Sequence, residues 1–262
     1  MTPSGTGAGS GPVIAVLGLG EAGGRFAADL VAAGASVRGY DPRVAAPQGV
    51  HPAENAAEAC HGAGVVLSVN SAADALDALA QGLPGCAPGT VWGELNTAAP
   101  AVKEAVRRAA GARVVVADVA IMAPVPPKGL LTPMAVSGPG AVAFAAALGA
   151  FGTPVEVLDG PVGLAATRKL LRSVFYKGLA AAAVEALAAA EAAGLAEWLA
   201  GNIEQELIKA DAATLERLVT GSRTHAVRRR HEMQAAAELL DGLGVPARVA
   251  RASRDWLADL AG

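Results

Sequence analysis

One short pattern near the amino terminus narrows the possible folds more than anything else in the chain. Val13 to Leu17 is followed by Gly18-Leu19-Gly20-Glu21-Ala22-Gly23, then by a helix-like stretch from Arg25 to Ala33 stopped at Gly34, then by Ser36 to Tyr40 ending at Asp41. The first apolar run is too short for a helix and suits a strand buried on both faces of a parallel sheet. Gly18 permits a tight turn, Gly20 lets the backbone approach a pyrophosphate, and Gly23 lets the helix lie close to the strand. Free N–H groups and a partial positive charge at the helix start then face the phosphates, with Leu19, Glu21 and Ala22 completing the contact turn. Asp41 stands where a carboxylate accepts hydrogen bonds from an adenosine ribose. A glycine turn that only helps a strand and a helix pack is the plainer reading. The complete order of strand, turn, helix, strand and acid favours dinucleotide binding. Asp41 favours NAD because its charge repels a 2′-phosphate, while Arg43 could cradle that phosphate, so NADP stays open.

The same rhythm continues. Apolar runs at Val65 to Val69, Thr90 to Leu95 and Val114 to Ala120 alternate with helical stretches at Ala72 to Ala80 and Ala101 to Ala110, which gives a doubly wound parallel sheet. Ligands of such sheets sit beyond the carboxyl ends of the strands. Val69, Asn70 and Asn96 therefore become cofactor candidates, and Thr97 and Met122 substrate candidates, with an ordinary turn or cap role as the alternative for each. After the stiff loop from Pro124 to Gly129, Leu131 to Ser137 and Pro154 to Leu158 read as strands flanking a helix from Ala141 to Phe151. Beyond Gly163 the pattern is helical throughout: a long element to about Ala193, then Leu195 to Ile208, Ala212 to Leu218, Thr224 to Leu243 and Ala247 to Leu260. The expected class is α/β, a Rossmann-type doubly wound sheet followed by an all-helical domain. The expected division is a disordered leader at 1–12, a dinucleotide-binding domain at 13–160 and a helical substrate and dimerisation domain at 161–262.

Composition excludes several classes. With 53% hydrophobic and 17% charged residues and a net charge of −3, the chain reads as globular, with no nucleic-acid partner implied. Cys60 and Cys86 lack metal-site spacing and read as buried small hydrophobes in a reducing, cytoplasmic setting. No spacing implies a metal site. The most membrane-like segment, Gly178 to Ala200, is broken by Glu185, Glu191 and Glu197, so it reads as a helix packed on protein and not in a bilayer.

The long helix opens after Gly160-Pro161-Val162-Gly163 and carries Arg168, Lys169, Arg172 and Lys177 among leucines, valine and phenylalanine. At about 100° per residue, Arg172, Ser173 and Tyr176 fall within roughly 60° of Lys169, so one face carries a guanidinium, a hydroxyl, a phenol and an amine. Such a cluster lines a cleft or is a solvated face. The alanines from Ala180 to Ala193 allow close approach of another helix, expected from a second subunit, with one well-covered helix in a monomer as the alternative.

Taken together, the Gly-Leu-Gly start, the Asn96-Thr97 turn and the Gly160 to Gly163 turn followed by Lys169 resemble the β-hydroxyacid dehydrogenase superfamily. That group includes 6-phosphogluconate dehydrogenase, 3-hydroxyisobutyrate dehydrogenase and the imine reductases. Arg172 to Gly178 and His225 to Met233 resemble a poorly characterised branch with a distinctive helical C-terminal domain. The resemblance implies hydride transfer between nicotinamide and a small, anionic hydroxy or carbonyl substrate. Lys169 would be the general acid/base, Ser173 would orient the substrate oxygen, and Arg172, Tyr176 and Lys177 would line the substrate. Partial burial beside two further cations is the environment that makes a lysine amine usable as a base near neutrality. Two departures stand out. Ser173 occupies the place where the family often has Asn, and Val119 to Ala123 replaces the family's Ser-Gly-Gly carboxylate loop. Imine reduction and a non-catalytic cofactor-binding sensor or scaffold are the competing functions. His225 and the run from Arg228 to His231 could close the cleft, with a solvated basic face as the plainer and favoured reading.

Overall fold

The computed structural model describes residues 13–262, so the leader expected at 1–12 lies outside the described residues. The chain forms two compact units, one ending at Arg172 and the other running Ser173–Gly262. The division falls inside a helix, twelve residues beyond the Gly160 boundary read from the sequence.

In the first unit, β1 (Val13–Leu17), α1 (Glu21–Ala32), β2 (Ser36–Tyr40), β3 (His51–Pro52), α2 (Ala56–Cys60), β4 (Ala63–Ser68), α3 (Ala75–Gly82), β5 (Thr90–Glu94), α4 (Pro100–Ala110) and β6 (Val114–Ile121) alternate along the chain. They are followed by β7 (Met134–Ser137), α5 (Ala141–Gly149) and β8 (Val155–Val157). The single sheet has the order β3-β2-β1-β4-β5-β6-β7-β8. The first six strands are parallel, with the order reversing between β1 and β4, where such sheets bind ligands.

The doubly wound reading therefore holds, with one correction to an all-parallel sheet: β7 runs antiparallel to β6. The link between them holds only a short 3-10 turn at Gly129–Leu131, whereas a parallel return is usually made through a crossover helix. The expected strand from Leu131 accordingly begins at Met134. β3 and α2 were not anticipated. A two-residue exposed strand of His and Pro carries no apolar period, and a five-residue helix is shorter than two turns.

Two cores sandwich the sheet. Ile14, Val16, Val65, Leu67, Val91 and Val119 face α1 and α5, meeting Phe26, Leu30, Phe144 and Leu148. Ala15, Leu17, Val66, Trp92 and Val116 face the other side, meeting Ala59, Leu79 and Val106. Cys60 and Cys86 are free and buried in this second core, as read from the sequence. The neighbouring Cys86 thiol and burial together push the Cys60 thiol up.

The helix α6 (Leu164–Ala192) leads out of this unit, and the second unit continues through α7 (Ala196–Lys209), α8 (Ala212–Thr224), α9 (Ala226–Gly242) and α10 (Arg248–Leu260). Its buried cluster is small: Ala189, Ala237, Leu240, Ala247 and Ala250. Glu185 of α6 accepts the backbone N–H groups of Val249 at 2.7 Å and Ala250 at 2.8 Å, satisfying donors that the start of α10 leaves open. With 29 residues and an 18-residue stretch of mean hydropathy 1.3, α6 is the described helix long and apolar enough to cross a membrane. The carboxylate at its Glu185 is instead engaged in capping α10.

Candidate functional site

The turn after β1 is built only for glycine at two places. Gly18 has φ +94°, and a Cβ there would stand 2.3 Å from the carbonyl oxygen of Val69. A Cβ on Gly23 would stand 1.9 Å from the Gly18 carbonyl oxygen, so α1 crosses its own turn at backbone distance. Gly20, by contrast, faces open space and caps α1 from an extended conformation. A side chain there would fill the space in front of the helix N-terminus, where a phosphate would be held.

This turn borders a cleft of about 680 Å³ lined by Gly18, Gly20, Asp41, Arg43, Val69, Asn70 and Asp74 among others. Asp41 accepts the N–H of Leu19 at 2.8 Å through Oδ2, and those of Arg43 at 2.8 Å and Val44 at 3.1 Å through Oδ1. Burial alone would raise its pKa, but these three N–H groups and the Arg43 guanidinium outweigh it and hold the carboxyl below its usual value. Of about four lone-pair positions on a carboxylate, three are occupied, which leaves room for one ribose hydroxyl on Oδ2.

At the ends of β4 and β5 a chain of amides continues the site. Asn70 Oδ1 accepts from Ser68 Oγ at 2.9 Å and from Asn96 Nδ2 at 3.1 Å, while Asn70 Nδ2 donates to the Leu17 carbonyl at 3.3 Å. That pairing turns Asn96 Oδ1 away, and it is a buried acceptor without a hydrogen-bond donor. Such an atom suits a ligand hydroxyl or amide. Beside it, Lys169 Nζ donates to Thr97 Oγ1 at 2.7 Å, joining α6 to the turn after β5.

Beneath this turn, one register row crosses the sheet as Ser68, Glu94, Asp118 and Ser137, all fully buried. Lys103 of α4, itself buried, donates to the Glu94 carbonyl at 2.6 Å and lies 3.6 Å from the Glu94 carboxylate and 3.5 Å from that of Asp118. Asp118 Oδ2 also accepts the N–H groups of Gly163 at 2.9 Å and Ala166 at 3.1 Å, and Ser137 Oγ accepts that of Ala165 at 3.1 Å. The sheet thus supplies the cap of α6 that its own sequence lacks.

Of the residues singled out from the sequence, the first unit gathers Gly18, Gly20, Asp41, Arg43, Val69 and Asn70 around the cleft, and Asn96, Thr97 and Lys169 at its sheet-end neighbour, while Leu19, Glu21, Ala22 and Gly23 do not line the cleft. Met122 packs against the cluster of Ala120, Ala135, Leu158 and Ala165. Arg172 is exposed at the end of this unit, and Ser173, Tyr176 and Lys177 belong to the second. The sequence reading missed Lys103, Glu94 and Ser137 and gave Asp118 no role. The available signal was a lysine one turn after Pro100, on the face of α4 that also buries Val106 and Ala110.

The strand order, the glycine turn and the acidic end of β2 define a Rossmann-type dinucleotide-binding domain. Comparison with known proteins narrows this: residues 13–125 match the NAD binding domain of 6-phosphogluconate dehydrogenase, and residues 190–260 match a domain of unknown function, DUF1932. The amino-terminal part of the chain is thus similar to the NAD-binding domain of 6-phosphogluconate dehydrogenase. An uncharacterized 28.5 kDa protein of Methanothermus fervidus is 37% identical over 83 residues, a stretch covering 32% of this chain and 33% of that protein. The match thus spans about a third of this curated relative. Among solved structures, a conserved protein of unknown function described as similar to 3-hydroxyacid dehydrogenases is 25% identical, with a TM-score of 0.61 over 95% of this chain and 98% of that one. An imine reductase from Myxococcus stipitatus in complex with NAD+ is 19% identical with a TM-score of 0.77, covering 95% and 93%. A reductive aminase from Aspergillus terreus in complex with NADPH is 16% identical with the same score and coverage. At those last two identities the likeness is one of fold.

Proposed function

We propose that the protein is an NAD(P)-dependent oxidoreductase that interconverts an alcohol and a carbonyl on a small anionic substrate, with Lys169 as the general acid/base. The observation that carries the reading is Lys169 Nζ hydrogen-bonded to Thr97 at the carboxyl end of β5, next to the buried acceptor of Asn96. When bound, the nicotinamide cofactor supplies the two-electron hydride exchange. As a neutral amine Lys169 takes the hydroxyl proton while the alcohol is oxidised, and as the ammonium it returns one to the oxygen in the opposite direction. Thr97 holds the amine, and Ser173 orients the substrate oxygen. The glycine turn and α1 hold the pyrophosphate, Asp41 takes a ribose hydroxyl, and Asn70 and Asn96 hold the nicotinamide end. Asp41 makes NAD the preferred cofactor in this proposal, with Arg43 the residue through which NADPH would bind. The helical unit is proposed to pair with a second copy of the chain.

Imine reduction is the rival that shares this cofactor site. Turnover with NADH and NADPH against hydroxy acids, aldehydes and cyclic imines separates the two. Activity on the carbonyl series, falling at least about 100-fold in Lys169→Ala, is the expected result. Equal rates in wild type and variant sink the assignment of Lys169, and turnover confined to imines favours the rival. Tight cofactor binding without turnover on any substrate class would favour a sensor. In a parallel fluorescence titration the wild type is expected to bind NADH more tightly than NADPH; tighter binding of NADPH that is lost in Arg43→Ala would overturn the cofactor preference proposed here.

A further inference from the structure

We propose that Lys103, Glu94 and Asp118 form a buried clamp that positions Lys169, making all three positioning residues for the proton-transfer group. The inference deepens the proposed function in its consequence, but its geometry stands without any assumption about turnover.

The clamp has two arms that meet at one amine. On the first arm, Glu94 Oε1 accepts the backbone N–H of Asn96 at 3.2 Å, which fixes the turn that presents Thr97. On the second, Asp118 Oδ2 takes two N–H groups from the start of α6, and Ser137 takes a third. Ala166, the last residue held in this way, lies three positions before Lys169, so its neighbour one turn on inherits the orientation of that first turn. Lys103 Nζ sits between the two carboxylates, at 3.6 Å and 3.5 Å, and donates to the main chain of Glu94 at 2.6 Å. The donor Lys169 Nζ and its acceptor Thr97 Oγ1 are therefore held from below by opposite ends of one ion cluster. Lys103 and Lys169 also border the same small void, together with Asn96 and Thr97.

Burial of the cluster is the reason to assign it more than a stabilising part. Side-chain exposure is 1% for Lys103 and 0% for both acids, and Glu94 Oε2 and Asp118 Oδ1 make no hydrogen bond. Replacing such a cluster by packed apolar residues is often neutral or stabilising, so stability alone does not explain three ions here. An ionic cluster at this place does what a leucine could not: it pins a strand end and a helix start to each other through directional charge.

The test reads Lys169 itself. The rate of reductive methylation at Lys169, measured by peptide mass spectrometry relative to the exposed Lys128 in the same sample, needs no substrate, cofactor or turnover. In Glu94→Gln, which keeps shape and removes one charge, the relative rate is expected to rise at least threefold as the amine leaves Thr97. Thr97→Val, at an exposed position, should produce the same rise, and the double variant should rise no further because both act on one bond. If Glu94→Gln does not fold, Ser137→Ala substitutes for it, since it loosens the other arm of the clamp, at the start of α6, without changing charge. An unchanged rate in a folded variant, or rises that multiply in the double variant, overturns the proposal. A shared rise in a protein that turns over none of the substrates tested leaves the clamp standing and removes the catalytic reading instead.

Discussion

The two units use their apolar residues in opposite ways. In the first, Phe26, Leu30, Leu67, Trp92, Phe144 and Leu148 are all sealed between sheet and helices. In the second, Trp198 is 65% exposed, Ile208 70% and Trp256 69%, while the residues buried at its centre are mostly alanines. Large apolar side chains left open in this way are what a face that docks on another chain would present. The comparison teaches that the Rossmann unit owns its stability, whereas the helical unit is proposed to gain its own from a second copy.

The sharpest way to break that contrast is to hollow out the closed unit. The Phe144 ring of α5 lies against Gly93, where a Cβ would come within 2.5 Å of it. Phe144→Ala should cost about 3–5 kcal/mol, the range for emptying a buried aromatic site. Urea unfolding followed by hydrogen exchange in β5 should show this loss at every protein concentration. A loss that shrinks as concentration rises would mean that the first unit also depends on association.

The complementary experiment opens the other unit. Ile203, Leu207 and Ile208 of α7, with Leu187 of α6, line an apolar hollow of about 410 Å³. Ile208→Asp should remove about 1.5–3 kcal/mol of apolar burial per copy from a dimer contact and so, with both copies changed, weaken association by about two to four orders of magnitude. Sedimentation velocity across a dilution series should move toward the monomer while hydrogen exchange in β5 stays unchanged. A wild-type chain that sediments as a monomer throughout would dispose of the pairing.

How far each unit was legible follows from the same difference. Short apolar runs closed by glycine announced the strands, because a strand buried on both faces has to be apolar at every position. The glycine turn was legible to the residue, since only glycine fits at Gly18 and Gly23. Lys169 and Thr97 were each noticed, but their contact spans 72 positions and no local period encodes it. Lys103 was invisible for a different reason: at sequence level a lysine on a helix reads as solvated, and only the fold brings two acids beneath it. The antiparallel β7 escaped because the alternation of strand and helix does not reveal that a link lacks a crossover helix. In the helical unit the elements were found, with ends within one or two residues except at the end of α8. The helix expected from Ala212 to Leu218 extends to Thr224, started by an Asp211 and Thr214 capping box. A polar, exposed helix offers little apolar period from which to read its last turn.

The smallest expected effect tests whether polar capping supplies what the helical unit lacks in core. Glu185 is partly buried, which raises its pKa, but the N–H groups of Val249, Ala250 and Arg248 and the Arg248 charge more than offset this and lower it overall. A depressed carboxyl pKa stabilises the fold above the unfolded-state value of about 4.3, and that contribution is lost as pH falls through the folded-state pKa. Glu185→Gln should therefore cost about 0.3–1 kcal/mol near neutrality, the range for a charge at a helix N-terminus. The difference in urea midpoint between wild type and variant should stay flat from about pH 8 to pH 5.5 and close below about pH 4. A gap still open at about pH 3 would assign the effect to the shape of the side chain and not to its charge. The α6 to α10 contact would then be held by packing, as the first unit is, and the contrast between the units would narrow at that point.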